Sequence, residues 1–139
     1  MIIPIEYNTE NLAEVIKYSV GNPTHDKLHN VLSSYNNYQN QLIGYFVEQT
    51  LVACLGYYIE NNILTIRHIS VLPFYQKRNI GTKLINYLKN LEVAIIRAET
   101  DNDSVKFYEK LQFICTCIVR NNKISRYECV YIQPSPLVL

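Results

Sequence analysis

Residues 71–88 read VLPFYQKRNIGTKLINYL. The stretch opens as the end of an apolar strand, breaks at Pro73 and passes through a polar, basic segment, Gln76 to Asn79. It then becomes an amphipathic helix whose apolar face is Ile80, Leu84, Ile85 and Leu88, continued by Leu91. A strand that hands over to a helix through a tight loop leaves several backbone N–H groups without intrahelical acceptors, all aimed one way. The helix dipole adds partial positive charge at the same place. Such a helix start takes up phosphate. Lys77 and Arg78 add mobile positive charge, and Gly81 allows a ligand close to the backbone. The plain alternative is an ordinary, solvated connection between strand and helix.

The segments around this stretch set the architecture. Upstream, LIGYFVE (42–48), LVACLGYYI (51–59) and ILTIRHISV (63–71) are β-branched, aromatic or apolar runs. Short turns at Gln49-Thr50 and Glu60-Asn61-Asn62 separate them, which predicts an antiparallel meander of three strands. Before it, MIIPIEY is a short apolar strand, with Pro4 suggesting an edge or start position. Thr9 is expected to cap a helix with Leu12, Val15 and Ile16 on one face. Thr24 is expected to cap a second helix, with Leu28, Val31, Leu32 and Tyr35 at helical spacing.

Downstream, VAIIRAE (93–99) reads as a strand buried on both faces, as parallel strands usually are. DNDSVKFYEKLQF (101–113) is a polar turn and a short helix, with Asp101 and Asp103 as helix-start residues. FICTCIV and KISRYECVYI form a closing hairpin about a turn at Asn121-Asn122, and the tail QPSPLVL leaves the sheet. The fold class is α/β with a mixed sheet, in the order β-α-α-β-β-β-α-β-α-β-β over a single domain, residues 1–139. The strands before and after the central helix should be parallel, joined by a right-handed crossover.

Bulk properties narrow the function. The chain has 139 residues, 48% hydrophobic and 18% charged, so a packed core is expected. A net charge of +1 gives no global pointer to nucleic acid or a membrane surface. No apolar run approaches the roughly 20 residues of a membrane helix. The start, MIIPIEYNTE, has no basic flank and meets Glu6, so it does not read as a signal peptide, and the default compartment is the cytoplasm. Cys54, Cys115, Cys117 and Cys129 lie in apolar stretches and are expected to be reduced and buried. His25 and His29 have a metal-compatible i, i+4 spacing but no third ligand, so no metal is expected.

QKRNIGT, Gln76 to Thr82, resembles the Q/R-x-x-G-x-G/A signature of the GNAT superfamily of N-acetyltransferases. The lead-in Val71-Leu72-Pro73 and the pair Tyr75-Gln76 are similar to the family's approach to that loop. Asn102 to Phe113, with Tyr108-Glu109-Lys110-Leu111 and Phe113, resembles its second motif. The element order matches over nearly the whole chain. The resemblance implies that Gln76, Lys77, Arg78, Asn79, Ile80, Gly81 and Thr82 wrap the pyrophosphate of acetyl-CoA. It implies that pantetheine adds to the backbone of Ile69 and Val71 like an extra strand. It implies that Asn102 meets the cofactor, with Ser104 and Phe107 as further contacts.

In chemistry, the resemblance implies an acetyl-CoA-dependent N-acetyltransferase acting on a primary amine by direct attack, with Tyr108 as the general acid. For the base, His68, Glu99 and Glu60 are the side-chain candidates, and a water chain is equally open. One departure stands out. The family's first loop glycine is Asn79 here, the residue that best replaces glycine at positive φ. A module that binds CoA without turning it over, as a sensor or partner domain, is the alternative. A general nucleotide-binding α/β protein ranks last, because a P-loop and a GxGxxG loop are both missing. The acceptor is a small amine or a protein N-terminus; the resemblance implies that residues 18–40 form one wall of its pocket, and they carry no strong charge of either sign. A homodimer through the final hairpin or the tail is compatible with the sequence but not demanded by it.

Overall fold

The computed structural model describes residues 1–120 and 125–134. Its strands form one seven-stranded mixed sheet in the order β1-β2-β3-β4-β5-β7-β6, with four α-helices, as the sequence predicts. The chain divides into two compact units, residues 1–58 with 67–90, and residues 59–66 with the chain from 91 onward. The strands β3 (Thr50–Glu60) and β4 (Ile63–Val71) each contribute to both.

In the first unit, β1 (Ile2–Ile5) pairs antiparallel with β2 (Asn40–Val47), from Ile2 opposite Tyr45 to Ile5 opposite Leu42. β2 pairs antiparallel with β3. Their two-residue turn, Glu48-Gln49, has positive φ at both positions (48° and 73°), and the Asn61-Asn62 turn after β3 repeats this (52° and 65°). Turns of that hand match the twist of the strands they join. Leu12, Val15 and Ile16 of helix α1 (Leu12–Ile16) pack with Tyr35, Leu42, Leu51 and Cys54 into a buried cluster.

The cap of α1 differs from expectation. Asn11, at φ 72°, begins the helix and sends its side-chain amide to the Leu51 carbonyl, 2.9 Å away. Thr9 instead closes the preceding turn, its hydroxyl accepting from the Glu6 N–H. Thr24 does cap α2 (His25–Ser34), accepting from the Lys27 N–H at 3.2 Å. Helix α3 (Ile80–Lys89) buries Ile80, Leu84, Ile85 and Leu88, the face read from the sequence.

In the second unit, the first residues of β4 run parallel to the start of β5 (Ile95–Asp101), over Ile63–Ile95, Leu64–Ile96 and Thr65–Arg97. β5 then pairs antiparallel with β7 (Ser125–Ile132) along its whole length, and β7 with β6 (Ile114–Arg120). β5 is not buried on both faces. Ile96, Ala98 and Thr100 are buried, while Arg97, Glu99 and Asp101 are exposed. An apolar run ending in charged residues placed those charges on one face, because the side-chain period of a strand is two. Helix α4 (Val105–Lys110) buries Tyr108. Cys54 and Cys129 are buried and Cys115 and Cys117 half-buried, all as free thiols. The expected turn at Asn121-Asn122 and the end of the tail lie outside the described residues.

Among the described residues ionic contacts contribute little. Among the described residues the one ion pair is Lys17 with Glu14, one helical turn apart at 2.9 Å on the surface. Among the described residues no helix is long and apolar enough to cross a membrane.

Candidate functional site

The first unit carries the loop quoted at the outset. Pro73–Tyr75 make one 3-10 turn, closed by the Gln76 N–H on the Pro73 carbonyl. The Gln76 side chain turns back and donates to the Val71 carbonyl at 3.0 Å, which anchors the loop to the end of β4. Lys77 (φ 62°) and Asn79 (φ 63°) both lie in the left-handed region. A non-glycine residue there costs roughly 1–2 kcal/mol, so the loop carries that cost twice within three positions. Asparagine tolerates that region best, so the replacement of glycine at 79 keeps the turn. The left-handed backbone of Lys77, unlike its charge, was not legible in the sequence, because lysine gives no signal for positive φ.

Asn79 begins α3 with no side-chain cap bond. The first intrahelical bond is Lys83 N–H to the Asn79 carbonyl, 3.0 Å. The N–H groups of Ile80, Gly81 and Thr82 precede it and form the open, positive end of the helix. No acidic residue stands in the first turn to neutralise it. Arg78 is held over Phe74 (4.7 Å to the ring centre) and Tyr75 (5.3 Å). Phe74 is 73% exposed, so its ring serves the guanidinium and not the core. The loop thus offers unpaired amides, a helix dipole and two cations to an anion.

Residues of β4 alternate. Ile69 and Val71 are half-buried, whereas Ser70 is buried and donates its hydroxyl to the Val15 carbonyl of α1. His68 shares the face of Ser70. Its Nδ1 lies 2.6 Å from the Tyr35 hydroxyl at the end of α2. Arg67 stacks on the Tyr35 ring (4.6 Å) and donates to the Ser34 hydroxyl at 3.0 Å. Burial, with Arg67 beside it, lowers His68 from the ordinary 6.5 to about 4. Burial raises the Tyr35 hydroxyl. At neutral pH Tyr35 therefore donates to a neutral His68, whose other nitrogen carries the hydrogen. This pairing spans 33 positions, and only the spacing of Tyr35 on its helix was legible in sequence.

That pair makes an acid-dependent contribution to stability. The unfolded chain binds the His68 proton near pH 6.5 and the folded one only near 4. The contribution is therefore complete above 6.5 and is lost as pH falls toward 4. Urea unfolding between pH 7 and 4 should show this decline, and His68→Gln should flatten it. An unchanged slope in the variant would mean the titration belongs elsewhere.

The second unit carries the second motif. The Asp101 carboxylate accepts from the N–H groups of Asp103 (3.0 Å) and Ser104 (3.1 Å), which sets the turn into α4. Asn102 is exposed, and its side-chain oxygen accepts from the Tyr127 hydroxyl at 2.7 Å. Ser104 precedes α4 with no side-chain cap bond, and Phe107 is half-buried. The Tyr108 ring is 3% exposed and packs against Phe107 (5.1 Å) and Phe113 (5.2 Å). Its hydroxyl has no hydrogen-bond partner among the described residues. Burial, with Cys129 and Cys115 nearby, pushes it up, so it keeps its proton. Glu99 is an exposed carboxylate on β5 and Glu60 is exposed at the end of β3. Among the described residues no three His, Cys, Asp or Glu side chains group to hold a metal.

The sequence model for the acetyltransferase (GNAT) domain matches residues 37–115. No curated protein matches the chain. Among solved structures, an aminoglycoside 6'-N-acetyltransferase complexed with coenzyme A superposes with a TM-score of 0.82 at 18% identity, covering 98% of this chain and 99% of its own. The ribosomal-protein-S18-alanine N-acetyltransferase from Escherichia coli gives 0.79 at 17% identity, covering 100% and 99%. The aminoglycoside 6'-N-acetyltransferase from Enterococcus faecium gives 0.80 at 18%, covering 98% and 99%. At these identities the likeness is one of fold.

Proposed function

Because the chain belongs to the GNAT acetyltransferase family, we propose that it is one acetyltransferase domain, residues 1–139, moving an acetyl group from acetyl-CoA to a primary amine. The observation that carries the cofactor half is the Gln76–Thr82 loop. Two left-handed residues, a helix start without an acidic neighbour, and Lys77 and Arg78 together suit a pyrophosphate. Pantetheine would add along the backbone of Ile69 and Val71, whose side chains are half-buried. Asn102, Ser104 and Phe107 are the proposed contacts on the second motif.

In the reaction the amine nitrogen attacks the thioester carbonyl carbon. The C–N bond forms, the C–S bond breaks, and the sulfur leaves as a thiolate. Tyr108 supplies the proton to that sulfur; its retained proton supports this role. The nitrogen must also lose a proton. His68 is a weak base at about 4 and its Nδ1 is engaged by Tyr35. Glu99, exposed on β5 and without a hydrogen-bond partner among the described residues, or a water chain suits the task better. The acceptor is a small-molecule amine or a protein N-terminus.

Calorimetry with coenzyme A, followed by thiol release from acetyl-CoA over an amine panel, tests the proposal. Heat with coenzyme A and amine-dependent thiol release are expected. Binding without turnover on any amine would favour the non-catalytic sensor, and no heat would remove both readings. The loop has its own test. Asn79→Gly should bind coenzyme A at least as tightly as the wild type, because glycine takes positive φ without strain. Asn79→Val should bind roughly tenfold or more weakly, since a β-branched residue resists that conformation. Equal affinities for the two variants would show that the turn does not govern binding.

A further inference from the structure

The β6–β7 pair of the second unit sets two thiols face to face. Cys115 on β6 stands directly opposite Cys129 on β7. Directly opposed residues of an antiparallel pair project to the same face, with Cβ atoms about 4.5–5.5 Å apart. Their Cα separation, about 4.5–5.5 Å, lies inside the range that a disulfide spans. Cys129 is buried, Cys115 is half-buried, and both are free thiols. Cys117 is an internal contrast. It too is half-buried on β6, but it stands opposite Tyr127, and its thiol donates to the Val119 carbonyl at 3.5 Å.

The pair adjoins the buried ring of Tyr108. Phe113, immediately before β6, is 4% exposed and meets that ring at 5.2 Å. Cys115 follows two positions on, so it shares the face of Phe113. Both thiols lie within electrostatic reach of the Tyr108 hydroxyl. β6 is the edge of the sheet, with β7 as its neighbour. A disulfide brings its Cβ atoms to about 3.8 Å, so closing one here draws β6 in by about 1 Å and carries Phe113 with it. We propose that Cys115 and Cys129 are the site of a reversible disulfide formed by a hydroperoxide, and that its closure slows acetyl transfer by shifting Phe113 against Tyr108. The second half rests on the acetyltransferase reading above; the first half does not.

Cys115, the half-buried sulfur, is the one an oxidant reaches. Its thiolate attacks one peroxide oxygen, the O–O bond breaks, and an alcohol or water leaves. Cys115 is then a sulfenic acid. The Cys129 thiolate attacks that sulfur, the S–S bond forms, the S–O bond breaks, and water leaves. Two thiols are oxidised and one peroxide is reduced. Burial pushes both thiols above their ordinary range, so the pair keeps its hydrogens at neutral pH and answers to sustained oxidant.

The test treats the whole chain with excess hydrogen peroxide, removes the peroxide, and maps the cysteines by non-reducing peptide mass spectrometry. A Cys115–Cys129 bridge is expected, with Cys117 left out of it, and dithiothreitol should reopen it. The bridged protein should release thiol from acetyl-CoA with kcat lowered roughly tenfold or more, and reduction should restore it. Cys115→Ser should keep its rate through the same treatment, and Cys117→Ser should lose it as the wild type does. Circular dichroism reports that each variant is folded. A bridge that engages Cys117, or Cys115 carried to a sulfinic acid without a bridge, overturns the site. A bridge that leaves kcat within twofold overturns its hold on Tyr108. A Cys115–Cys129 bridge in a chain that acetylates no amine keeps the site and removes the enzyme, and the second half with it.

Discussion

Tyr108→Phe should lower kcat by about 10²–10⁴-fold, the usual worth of a positioned proton donor. The acetyl-CoA KM and the melting temperature should stay close to wild type. The ring is buried between Phe107 and Phe113, and phenylalanine refills that space. The hydroxyl has no hydrogen-bond partner among the described residues, so its removal strands nothing. The change is therefore close to a deletion of the hydroxyl alone. Burial holds the phenol above its ordinary range, so the wild-type rate should show no loss of this acid through the neutral and mildly alkaline range. Steady-state thiol release for both proteins between pH 6.5 and 9 makes the comparison. A variant within twofold of wild type would reduce Tyr108 to a packed ring.

The largest effect on stability is expected at Gly56, in β3 opposite Leu42. A Cβ at this position would lie 1.8 Å from the Tyr35 hydroxyl oxygen and 2.4 Å from the ring carbon that bears it. The ring cannot yield cheaply. It is 5% exposed, held by His68 at one edge and covered by Arg67. Gly56→Ala must expel it and leave His68 Nδ1 without its donor. Overpacking and a lost buried hydrogen bond together cost about 3 kcal/mol. For a chain of this size that lowers Tm by roughly 10 °C. Urea and thermal unfolding measure it. Tyr35→Leu should be destabilising alone but should absorb much of the Gly56→Ala cost in the double variant. Strictly additive losses would show that the ring is not what the glycine accommodates.

The element order was legible because each boundary is local. The apolar, β-branched runs of β2, β3 and β4, the Thr24 cap and the Ile80–Leu88 stripe are patterns within a few residues, and each appears where it was read. The left-handed state of Asn79 was legible too, through the residue type. The contacts that shape the site were not. Tyr35 with His68 and Tyr127 with Asn102 join residues 33 and 25 positions apart, and no pattern in either segment announces its partner. The left-handed Lys77 and the Arg78–Phe74 stack come from the path of the loop, which composition does not encode. The Thr9 cap failed because Asn11 could take positive φ and bond the Leu51 carbonyl, a partner from a distant strand.

The scarcity of ionic contacts separates two quantities that are often entangled. With Lys17–Glu14 as the ion pair seen among the described residues, and that on the surface, dissolved electrolyte has little to screen among them. An anion gripped by Lys77, Arg78 and a helix end has much to lose, since the screening distance shrinks from about 30 Å at 0.01 M to about 3 Å at 1 M. Raising sodium chloride should thus loosen coenzyme A by roughly tenfold while the unfolding midpoint barely moves. Ionic strength becomes a dial that empties the cofactor seat without disturbing the chair.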